Sequence, residues 1–284
     1  MTQESVSVKK GTFASPLLPV ITVLFALTAL VGAAAVVSLF HPASIPAILA
    51  DMDTAQINDP NARQSWLIIY ITVTAFNCIA ALVMFLGLLH VLTGRHYRGM
   101  NLMYYSAKVL LICVNVSGVA AFSYFILRAV FYAVACLSVN GGVVPLYAMV
   151  LMEGMMIAQA LFLFFKIRQF LGCLMDATAL IGYTLSSGRL KAPTIPAFSA
   201  TGFLFLAIFN IGIALDRFFT FVHIQINLSV IYRLPVTRDP VQILSGLSFL
   251  IGAVGCLLLF IYLRRYKHKS EQLLFCTVKD AVES

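Results

Sequence analysis

Six stretches of this chain are each long and apolar enough to fill a bilayer, and nothing else in the sequence limits the fold so tightly. They cover approximately residues 17–40, 66–92, 109–139, 144–165, 198–224 and 242–263. A segment crossing lipid must satisfy its own backbone donors and acceptors, so a helix of about 20 apolar residues is the solution open to it. The expected fold is an all-α membrane protein with six transmembrane helices. Composition agrees, because only 11% of residues are charged and 61% are hydrophobic, where a soluble domain carries about a quarter charged residues. Lys9 and Lys10 precede the first run as in a signal peptide. That run is longer than the ~7–15 apolar residues of a cleaved leader, so it is read as a retained helix. HPASIP, NDPNAR, NGG with Pro145, and KAPTIP punctuate the linkers.

Orientation follows from the basic residues. Fourteen lysines and arginines fall in the N-tail, the 93–108 loop, the 166–197 loop and the C-tail, and only Arg63, Arg233 and Arg238 fall in the other three loops. The positive-inside rule then predicts both termini in the cytoplasm, with the protein integral to the cell (plasma) membrane. The division expected is an N-tail over 1–16, a transmembrane domain over 17–263 and a basic C-tail over 264–284. The +8 net charge reports this asymmetry. It predicts no nucleic-acid binding, since no basic stripe with exposed aromatics accompanies it. The inward ends LLHVLTGRHYR, LFLFFKIRQF and LLLFIYLRRYK look alike, and aliphatics followed by basic anchors explain them without a threefold repeat.

The segment KIRQFLGCLMDATALIGYTLSSGRLK is too polar to span, yet Ile167, Phe170, Leu171, Leu174, Ile181 and Leu185 mostly keep helical spacing. A separate amphipathic helix on the cytoplasmic membrane surface is expected here, with Arg168, Gln169 and Asp176 facing water. The same 166–190 segment is a candidate docking element for a cytoplasmic or membrane protein partner. Thr28, Ala29, Gly32, Ala33 and Val36 on the first helix, and Ser245, Ser248, Gly252 and Gly255 on the sixth, form faces of mainly small residues. These predict close helix packing and a scaffold role.

Two features carry chemistry. Arg128 and Glu153 are the only charged residues between Lys108 and Lys166. With Asn140-Gly141-Gly142 as the outer turn, they lie about 20 and 18 Å below it, level within a ~30 Å core. An intramembrane ion pair is expected, because an unpaired arginine at the bilayer centre costs at least ~2.5–3.5 kcal/mol. Tyr124 and Tyr132, four residues either side of Arg128, share its face with Ser117 and Ala121 and offer hydroxyls and ring faces to the guanidinium. On the fifth helix Asp216, Thr220, His223 and Asn227 form one polar stripe, beside a second face of Asn210 and Arg217. The stripe is expected near the outer boundary, either as an interfacial helix end or as the wall of a water-filled vestibule.

Other chemistry finds little support. The six cysteines form no C-x-x-C, which argues against zinc and a disulfide framework. Met149, Met152, Met155 and Met156 sit around Glu153 with no Cys or His beside them and are read as packing residues. Phosphate loops, HExxH and G-x-S-x-G are absent, and an arginine beside the one buried glutamate would make that carboxylate a poor base. The chain is expected to be no enzyme and to use no cofactor or metal. The leading expectation is a transporter or permease-like membrane subunit. The alternative is a non-transporting accessory, assembly or sensor protein in which the pair is structural.

Overall fold

Ser15 and Pro16 open the first helix in a way their chemistry favours. The Ser15 hydroxyl accepts from the Leu17 amide at 3.3 Å, and proline costs nothing where the amide has no helical partner. The computed structural model describes residues 5–7, 15–40, 60–138, 143–187, 189–191, 200–226 and 241–283. Among them are six helices: α1 (Leu17–Ser38), α2 (Pro60–Leu92), α3 (His96–Ser138), α4 (Val143–Ser187), α5 (Thr201–Ile226) and α6 (Val241–Glu283). Five of them hold, within the described residues, stretches long and apolar enough to cross a membrane. The helical, multi-span architecture is therefore the one the hydropathy predicts. Two three-residue strands add to it: β1 (Ser5–Ser7) pairs antiparallel with β2 (Arg189–Lys191), Val6 opposite Leu190.

Each helix packs on its neighbour in sequence, and α6 returns to pack on α1, closing a ring. Between α2 and α3 the turn is built by Gly94, whose φ of 80° suits a residue without Cβ. The Arg95 amide donates to the His90 carbonyl at 2.8 Å and the Gly94 amide to Val91 at 3.2 Å, which is the Schellman pattern that ends a helix.

Helix length departs from span length. α3, α4 and α6 have 43, 45 and 43 residues, about 65 Å each against a ~30 Å hydrocarbon core. The 166–187 segment is no separate surface helix: it continues α4 without a break. Its apolar face is buried in protein, with Leu171, Leu174 and Ile181 at most 8% exposed and Ile167 and Phe170 packed against them. Arg168, Gln169 and Asp176 are exposed. The correction has a simple physical reason. Polar residues end a lipid-soluble stretch, but only a breaker ends a helix, and no proline occurs between Pro145 and Pro193.

These extensions hold much of the core. Met100, Met103 and Ala107 of α3, Leu171 and Leu180 of α4, Phe203 of α5, and Tyr262, Leu263 and Tyr266 of α6 form one buried cluster with Leu88 and Val91 of α2. Phe170 and Phe203 meet edge to face, centroids 5.3 Å apart. β1 lies against α6 as well as β2, so the chain before α1, the chain after α4 and the α6 extension share one end of the bundle.

Candidate functional site

α1, α2, α5 and α6 meet through small and polar residues. On α6, Gln242, Ser245, Ser248, Gly252 and Gly255 recur at helical spacing and turn one face inward. Opposite them stand Thr74, Asn77 and Cys78 of α2, Thr28 and Gly32 of α1, and Asn210 of α5. Gly32 permits a close approach, since a Cβ there would lie 3.0 Å from Ser248 Oγ and 3.1 Å from Cys78 Cβ. Gly252 likewise faces Thr28 and the Asn210 amide, and Gly255 faces Phe25. The small-residue faces expected on the first and sixth helices thus pack on each other.

The polar groups bond across this interface. Asn77 Nδ2 donates to Ser248 Oγ at 2.9 Å, and Ser248 Oγ donates to the Thr28 carbonyl at 3.0 Å. Thr74 and Ser245 share a hydrogen bond at 3.4 Å, and the Cys78 thiol reaches the Ala29 carbonyl at 3.4 Å. Gln242 ends the seam near the start of α6. It is 2% exposed, and among the described residues its Nε2 has no hydrogen-bond partner. The seam therefore offers neutral donors and acceptors along a buried line. Sequence reading singled out Ser245, Ser248, Asn210, Thr28 and Gly32 but missed Thr74, Asn77 and Gln242. The signal was available: the three are polar residues within apolar helices, and Thr74 and Asn77 share a face at i, i+3.

The sequence-derived candidates fall elsewhere. Side chains of Arg128, Tyr124, Tyr132 and Glu153 lie outside the described residues, as do those of Thr220 and His223 and the whole of Asn227. Backbone register is nonetheless defined for α3 and α4, which run antiparallel. Phe164 packs on Gly118 and edge-on against Phe122 at 5.5 Å, while Met100 packs on Gly182. Extended along both helices, this register sets the backbones of residues 128 and 153 level to within about one turn.

On α5, Asn210 is buried and Arg217 half-buried, with Arg217 Cβ against α6 at Gly246. Asp216 is exposed, on the surface that carries Leu215 and Phe219, 50% and 71% exposed. A vestibule enclosed by this bundle gains no support from Asp216, because its helical face points outward. Among the described residues no group of three His, Cys, Asp or Glu is placed to hold a metal. No family model, curated protein or solved structure matches the chain.

Proposed function

We propose that this chain is a transporter or permease-like subunit of the cell membrane, with both termini cytoplasmic and no enzymatic activity. The observation that carries the reading is the buried polar seam, which ends in an amide donor with no acceptor among the described residues. Buried polar groups in a membrane bundle are costly and mark pathways when they are not fully matched. The level register of α3 and α4 supports a pair between Arg128 and Glu153, with Tyr124 and Tyr132 beside it, as a second polar element at mid-depth. The common end shared by β1, β2 and the α6 extension, together with the fourteen basic residues that the sequence holds in the N-tail, the 93–108 and 166–197 loops and the C-tail, supports the orientation.

The test is flux in proteoliposomes holding the purified chain, read with a pH dye for protons and by electrical recording for a panel of ions and small polar solutes. Transport above empty vesicles that Gln242→Leu abolishes, with folded protein unchanged, is the expected result. An accessory or assembly role is the second reading, and the closed Asn77–Ser248–Thr28 bonding favours it. No flux with any member of the panel, together with a Gln242→Leu protein more stable than the parent, would establish the seam as helix-to-helix adhesion and leave that second reading in place.

A further inference from the structure

Asp216 is an exposed carboxylate within the candidate span Thr201–Phe219, where an unpaired charge is costly. The antiparallel register of α5 and α6 is fixed twice, by Phe218 and Arg217 against Gly246 and by Asn210 against Gly252. It sets Asp216 level with about Leu247. That is about 9 Å inside Val241, the start of the α6 apolar run, and about 25 Å from Arg264 at its other end. A ~30 Å hydrocarbon layer over this run encloses Asp216. An aspartate side chain has too short a stem to reach the headgroups from there, unlike lysine or arginine. Its neighbour Arg217 does not share its face, because consecutive helical residues point apart.

The described apolar side chains on this surface of α5 are exposed, while those of Thr220 and His223, which continue the stripe from Asp216, lie outside the described residues. Ile208, Ile211, Leu215, Phe219 and Val222 are 60%, 42%, 50%, 71% and 50% exposed. Gly212, one turn before Asp216, has open space where a Cβ would stand. We infer that this face is a docking surface for a transmembrane helix of another protein, one that carries a lysine or arginine within its span to meet Asp216. Charge complementarity selects that occupant: an unpaired carboxylate within a span is costly and a cation opposite it offsets that cost, and the space at Gly212 lets a second backbone approach. A second copy fits poorly. A twofold contact centred on Asp216 would oppose it to its own copy. Among the described residues, the exposed cations Arg95, Arg98, Lys108, Arg168, Arg264, Arg265 and Lys269 all lie toward the opposite end of the bundle. The inference stands whether or not the chain carries a solute.

The experiment uses the full chain in its native membrane, with a photo-crosslinking amino acid at Leu215 or Phe219. The expected product is one heterologous adduct whose partner has Lys or Arg within a membrane span. Its yield should fall about tenfold or more in Asp216→Lys and recover when the partner's cation is changed to Asp. Asp216→Leu separates docking from folding: the adduct should be lost while abundance and size-exclusion profile hold. An adduct of two copies, a partner with no intramembrane cation, an adduct that survives Asp216→Leu, or lipid as the only product would each overturn the inference.

Discussion

The Asn77–Ser248 hydrogen bond can be weighed by a double-mutant cycle. Ser248 is 1% exposed, accepts from Asn77 at 2.9 Å and donates to the Thr28 carbonyl at 3.0 Å. Side-chain hydrogen bonds within membranes average about 0.6 kcal/mol and reach about 1.7 kcal/mol. Ser248→Ala removes two of them and should cost about 1–3 kcal/mol, while Asn77→Ala removes one and should cost about 0.6–1.7 kcal/mol before its lost volume is added. The double variant should cost less than the two singles together, by the ~0.6–1.7 kcal/mol of the shared bond. Gly32→Leu supplies the upper bound. It pushes α1 away from Ser248 and Cys78, breaking the bond to Thr28 and adding about 1–3 kcal/mol of overpacking. Reversible unfolding in mixed micelles, followed by circular dichroism and by the single tryptophan, Trp66, reads all four variants. Strict additivity of the two alanine substitutions would falsify the bond, and a Gly32→Leu protein as stable as the parent would refute the close packing of α1 on α6.

Five further outcomes are expected. Gly99→Ala should cost about 1–3 kcal/mol in the same unfolding assay, because its Cβ would meet the backbone carbonyl of Gly87. Gly172→Ala, with open space around it, should instead stabilise α4 by about 0.5–1 kcal/mol. Reporter fusions after residues 60, 142 and 236 should read as outside and those after 98, 190 and 284 as inside; an odd number of spans would overturn the orientation. Arg128→Ala or Glu153→Ala should lower the folded protein in the membrane, and the charge-swapped double should recover part of the loss; a double no better than the singles means the residues do not pair. Burial pushes the Cys173 thiol up, although the Gly202 backbone bond partly offsets it. Little thiolate is then present at neutral pH, so maleimide labelling of Cys173 should be about tenfold slower than at an exposed cysteine and should accelerate as pH rises.

Much of the fold was legible because lipid reads composition directly. A run of apolar residues has to be a helix, and six runs gave six helices in the expected order. Helix ends were harder, since hydropathy marks where lipid stops and not where hydrogen bonding stops. Arg264 ends the apolar run of α6, yet nothing after Gly255 breaks the helix before Glu283. The segment from Lys166 shows the same confusion: its helical spacing was visible, but whether bilayer or protein would cover its apolar face depends on α3, α5 and α6. The seam was half legible. Glycines and serines on α1 and α6 announce close approach, whereas Thr74, Asn77 and Gln242 acquire meaning only once register brings them opposite partners. Asp216 carries the same lesson in reverse, for its position on a helical stripe was readable and its outward face was not.

The short ribbon of β1 and β2 sets a condition on biosynthesis. Ser5–Ser7 leaves the ribosome ahead of α1, but its hydrogen-bonding partner Arg189–Lys191 emerges only after α4. The first strand therefore has no partner to pair with until four helices have been synthesised. Its closure links the segment before α1 to the segment after α4, across the first two hairpins.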